Sequence, residues 1–77
     1  MKLAEKEFFS FKLKSQIQIL RDKGVCLFTN YSYPKNEIKA FLIFDFYVKV
    51  IVDKENEKIT TILLMDETEL ADFVYNS

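Results

Sequence analysis

At 77 residues the chain has room for one domain, residues 1–77, and one core, and a domain of this size buries only roughly 60% of the surface its unfolded form exposes. A single cysteine excludes an internal disulfide, and the lack of histidine removes the preferred ligands of a closed zinc site; no cofactor is expected, and oligomerisation or a partner is the remaining support. Eleven basic against twelve acidic residues, with a pI near 5.4, give no general attraction to phosphate.

Residues 1 to 7 are mixed and read as a short helical turn or a loose end. From Phe9 to Ile19 the odd positions are Phe9, Phe11, Leu13, Ser15, Ile17 and Ile19, and the even positions Ser10, Lys12, Lys14, Gln16 and Gln18 are all polar. Side chains alternate between the faces of a strand, so Phe8 to Leu20 is predicted to be a strand with one apolar face. Phe9, Leu13, Ile17 and Leu20 also share one face of a helix, but a helix would leave Phe11 and Ile19 among polar neighbours. The strand is the better fit. Arg21-Asp22-Lys23-Gly24 then reads as a hairpin connection in which Gly24 supplies a positive φ, and Val25 to Tyr31 returns as the antiparallel partner.

Ser32 to Asn36 is a second connection, fixed by Pro34. After it, every even position from Ile38 to Val52 is apolar: Ile38, Ala40, Leu42, Phe44, Phe46, Val48, Val50 and Val52. A straight strand of that length would run about 50 Å at roughly 3.3 Å per residue, too long for so small a domain. It must bend sharply or break in two, and Asp45 is the expected place. Asp53 to Glu57 is a charged hairpin loop, and Lys58 to Met65 is the next strand. Asp66-Glu67-Thr68-Glu69 reads as a helix start, with Asp66 as the cap and Leu70, Phe73 and Val74 as the stripe that docks on the sheet.

The expected fold is mainly β (α+β). It is a strongly bent antiparallel meander of four to five strands with a short C-terminal helix, either half-closed as a barrel or completed by a second copy. The odd positions Phe41, Ile43, Tyr47 and Ile51 lie opposite the apolar even positions, so this segment is expected to be buried on both sides. One short helix can cover part of one face only. These four residues are therefore the candidate protein interface, because left open they would form an apolar patch at or above what soluble monomers show.

No catalytic motif is present, because there is no histidine for a nucleophile and one glycine is too few for a phosphate-binding loop. The carboxylates cluster in a hairpin loop and at a helix start, which explains them without catalysis. Cys26 reads as an inert core residue, and Asp45 as a residue at a bend facing water or a lysine. Lys12 and Lys14, on the polar side of the first strand, could meet Tyr31 and Tyr33 in a face that stacks bases and holds phosphates. The acidic pI and the lone arginine, Arg21, count against that. No apolar stretch is long enough for a membrane span, no signal peptide is recognised, and the expected location is the cytoplasm. The expectation is a non-enzymatic protein-interaction module, a homodimer that masks a partner protein. The lysine-rich, arginine-poor composition suggests an AT-rich bacterial or phage genome and an inhibitor of a host system. Single-stranded nucleic-acid binding is the alternative.

Overall fold

The computed structural model describes residues 3–31 and 34–75. Among them the order is α1 (Leu3–Ser10), α2 (Leu13–Lys23), β1 (Gly24–Asn30), β2 (Asn36–Ile43), β3 (Phe46–Asp53), β4 (Lys58–Met65) and α3 (Glu67–Tyr75). The four strands form one antiparallel meander in the order β1-β2-β3-β4, and the sheet stays open rather than closing into a barrel.

The strand expected over Phe8 to Leu20 is replaced by α1 and α2. The stretch that became α2 is rich in Leu, Lys, Gln and Arg, all strong helix formers, with Ile17 and Ile19 as its only β-branched residues. At 100° per residue, Ile19, Gln16, Leu20 and Ile17 fall within one arc of about 160°. The two isoleucines that looked like alternate strand positions are the two margins of a single broad helical face. Gln16 and Leu20 are buried in its middle, and both isoleucines pack against the core.

The corner between the two helices is held by a side chain that looked solvent-facing. Gln16 Nε2 donates to Phe11 O at 3.1 Å and, at 3.2 Å, to Phe8 O, which also accepts from Phe11 N–H at 3.3 Å where α1 ends. Ser10 Oγ donates to Glu7 O at 2.6 Å, and Lys12 is extended (φ −68°, ψ 158°). Gln16→Leu keeps the volume and removes both donors, so it is expected to cost about 1–3 kcal/mol. A urea midpoint within error of the parent's would refute this role.

Arg21 to Lys23 belong to α2, so no hairpin loop precedes β1. Gly24 has φ −80°, and none of the described glycines has positive φ. Its value lies in close approach: a Cβ built there would lie 2.5 Å from Leu20 O.

The long segment from Ile38 breaks at Phe44-Asp45 into two strands joined by a two-residue turn, with Ile43 opposite Phe46. A turn of that length reverses the relation between sequence parity and sheet face. Phe41 and Ile43 of β2 share a face with Phe46, Val48, Val50 and Val52 of β3, because the register pairs Phe41 with Val48 and Ile43 with Phe46. On that face Ile43, Phe46, Val48, Val50 and Ile62 form the core with Phe8 of α1 and Leu20 of α2. The opposite face carries Phe28, Ala40, Leu42, Tyr47, Ile51, Leu63 and Met65. There α3 docks through Phe73, whose ring meets that of Phe28 edge-on at 5.6 Å and 88°. The sheet is thus a middle layer between helices.

The C-terminal part follows its sequence closely. Asp66 Oδ1 accepts from Glu69 N–H at 2.8 Å, and Asp66 O accepts from Leu70 N–H at 2.9 Å. In the β3–β4 turn, Asp53 accepts from Asn56 Nδ2 at 2.8 Å and from Glu55 N–H at 3.0 Å. Those bonds, the Asn56 side chain first, hold its carboxyl below the usual carboxylate range.

Candidate protein-interaction surfaces

The four residues expected to form one interface do not share a face. Phe41 and Ile43 lie on the side covered by α1 and α2, where Ile43 is fully buried, whereas Tyr47 and Ile51 are half-buried on the side of α3. The physical reason is the turn: the expectation carries one parity across the break at Asp45, and two residues spent on a reversal exchange the faces. The second reason is the helical N-terminal segment. It covers a face that, had residues 8 to 20 formed a strand, would have needed another chain.

The row of basic residues proposed for nucleic acid is also absent as a row. Lys12 sits at the corner between α1 and α2, Lys14 is exposed on α2, and Gln16, on the same polar side of the expected strand, is buried. Tyr31 is exposed just after β1, and its carbonyl accepts from Lys54 Nζ at 3.1 Å. Tyr33 lies outside the described residues. Cys26 is exposed rather than part of the core, because β1 is an edge strand. Its Sγ lies 3.7 Å from Thr29 Oγ1. Asp45 is exposed in the turn.

Two surfaces gather exposed apolar side chains. The first is the β4 edge. From Ile59 to Met65 it carries no charge and no proline, and adjacent Leu63 and Leu64, which point to opposite faces, are 44% and 42% exposed. An extra residue, Thr60, bulges near its start, and from Thr61 to Met65 the pairing with β3 is regular. The β1 edge differs. It also exposes Val25 and Leu27, but Leu27 is the extra residue of a bulge in mid-strand, which breaks the row of backbone groups a new strand would need.

The second surface is the β2–β3 turn. Phe44 has φ 55° and is 56% exposed. That backbone region suits Gly or Asn and is a genuine outlier for a bulky side chain. The Phe44 ring lies 6.4 Å from that of Phe46 and forms one wall of a hollow of about 350 Å³, lined also by Glu7, Phe8, Phe11, Ile19, Asp22 and Lys23. A second, shallower hollow reaches Asp45 and holds Glu5, Asp66 and Glu67 beside Tyr47 and Met65.

Nothing in the sequence marked either surface as special. A break is expected at Asp45, but the hollow beside it requires α1, of which the sequence offers only a short helical turn or a loose end over residues 1 to 7. The β4 strand was correctly placed, but its edge position follows only from sheet order. Among the described residues no helix is long and apolar enough to cross a membrane. Compared with known proteins, the chain matches no protein family, no curated protein and no solved structure.

Proposed function

We propose that this protein is a non-catalytic, cytoplasmic protein-interaction module that pairs with a second copy of itself through β4 and acts by covering a surface on a partner protein. The observation that carries the reading is the β4 edge: a regular, uncharged strand end with exposed leucines on both of its faces. Natural sheets blunt such edges with lysine, proline or mid-strand bulges, and this one is blunted only at its start. An antiparallel strand is complementary to its own two-fold copy, so a β4 pair joins two sheets isologously. Centred near Leu63, the pair sets Leu64 against Ile62 of the second copy. It also brings Lys58, which begins β4, beside the second copy's acidic segment from Asp66 to Glu69. Tyr47 and Ile51 lie one strand inward from this edge, whereas Phe41 and Ile43 sit under the helices and leave the candidate interface.

The test is mass in solution. The parent is expected at twice the 9.2 kDa of one chain. Leu64→Lys, at an exposed position, is expected to yield monomers with an unchanged far-UV spectrum, weakening association by about tenfold or more. A parent that is monomeric at micromolar concentration, or a Leu64→Lys variant as dimeric as the parent, would discard the β4 pair.

A further inference from the structure

We infer that the β2–β3 turn end is a second, separate docking surface, which takes a basic amphipathic helix of a partner protein. The starting point is Phe44. Its φ of 55° stores strain, and its 56% exposure leaves much of an aromatic ring in water. Asn or Gly would relieve both penalties in a two-residue turn. The ring's contact with Phe46 is at 6.4 Å, and Phe46 is already buried by Phe8 and Phe9, so core packing does not account for a phenylalanine here. What Phe44 does provide is a wall. With Phe11, 46% exposed, it bounds the hollow floored by Phe8 and Ile19.

Charge defines the occupant. The chain as a whole is nearly balanced, with 11 basic and 12 acidic residues. The turn end is not balanced: Glu7 and Asp22 line the Phe44 hollow against Lys23, and the separate hollow that reaches the next turn residue, Asp45, is lined also by Glu5, Asp66 and Glu67 and by no basic residue. An apolar floor with a rim of carboxylates selects a segment whose apolar side chains are flanked by lysine or arginine. The segment is a helix rather than a strand. At this end β2 and β3 are hydrogen-bonded to each other, so the hollow offers no free strand edge, and its walls are α1, α2 and the turn.

The experiment uses the full chain and three synthetic peptides of about 18 residues, long enough to form a helix on contact. One is a Leu/Lys amphipathic helix, one has Glu in place of Lys, and one is the Leu/Lys composition in scrambled order. Calorimetry is expected to show binding of the amphipathic Leu/Lys peptide alone, weakening as salt rises from about 0.01 to 0.15 M. Phe44→Asn is expected to weaken binding by about tenfold or more while its melting temperature stays level or rises, because Asn accepts the turn's positive φ. Glu7→Gln with Asp22→Asn should flatten the salt dependence. No binding, equal binding of the Glu or scrambled peptide, or undiminished binding by Phe44→Asn overturns the inference. The solution mass of Phe44→Asn should equal the parent's. A change in mass would instead make Phe44 part of self-association and likewise overturn it. The β4 pair can fail its own test without affecting this one.

Discussion

Phe8→Ala is expected to remove most of the protein's stability, about 3–5 kcal/mol. Phe8 is 1% exposed, and its ring meets Phe9 edge-on at 5.1 Å and Phe46 at 5.8 Å. It is the residue by which α1 enters the core; an eight-residue helix has no stability of its own in water and depends on such an anchor. A domain of this size has roughly 4–12 kcal/mol of total stability, at about 0.05–0.15 kcal/mol per residue, so the loss approaches the whole at the lower end. Urea unfolding followed by far-UV dichroism reads the effect. Phe11→Ala is the comparison, because Phe11 lies in the corner and is half exposed; its cost should stay below about 1 kcal/mol. Equal midpoints for the two variants would show that α1 does not depend on Phe8 for its place.

Gly24→Ala is expected to reverse the usual sign of a glycine-to-alanine change. With φ −80° and ψ 149°, Gly24 has a backbone that any residue adopts, and on that ground alanine would stabilise by about 0.4–1 kcal/mol through the unfolded state. Contacts decide otherwise. The added Cβ would lie 2.5 Å from Leu20 O, 3.0 Å from Leu20 Cδ1 and 3.1 Å from Phe41 Cδ2. Leu20 O is the carbonyl that accepts the Gly24 N–H at the end of α2, and the Leu20 side chain is fully buried, so neither withdraws freely. Relief requires moving α2 away from β1, at about 2–3 kcal/mol. A thermal midpoint equal to or above the parent's would show that the α2–β1 junction is looser than this geometry.

The two predictions rest on residues the sequence displayed without explaining. Gly24 stood out as the one glycine, and a hairpin loop was the natural account of it. Its real role, letting a helix end lie against Phe41, exists only once α2 is in place. Phe8 stood at the start of a supposed strand. Its burial follows from a helix that lies across the turn end of the sheet. The candidate surfaces were still less legible. Phe44 belonged to an unbroken apolar series; the break expected at Asp45 gave no sign that Phe44 itself takes the positive φ, because the turn uses neither Gly, Asn nor Pro. The β4 edge was invisible because strand order, which makes one strand the last, is not written in any single segment.

What the sequence determined by itself were the elements whose local signals agree. The charged loop from Asp53, the strand Lys58–Met65 and the Asp66-capped helix each have boundaries set by loop chemistry and capping, which act within a few residues. The antiparallel meander from Val25 onward followed from the same logic. Tertiary structure alone decided two things. Residues 8 to 20 carried a pattern compatible with both a strand and a broad helical face. The need to cover Ile43, Val48 and Val50 is met by the helix, which also buries Gln16 with its hydrogen bonds made. The second was which face each side of the turn presents, since the sequence already placed the break at Asp45. Two residues at Phe44-Asp45 exchange the faces of everything after them, and only the pairing of β2 with β3 fixes which phase of the alternation faces the core.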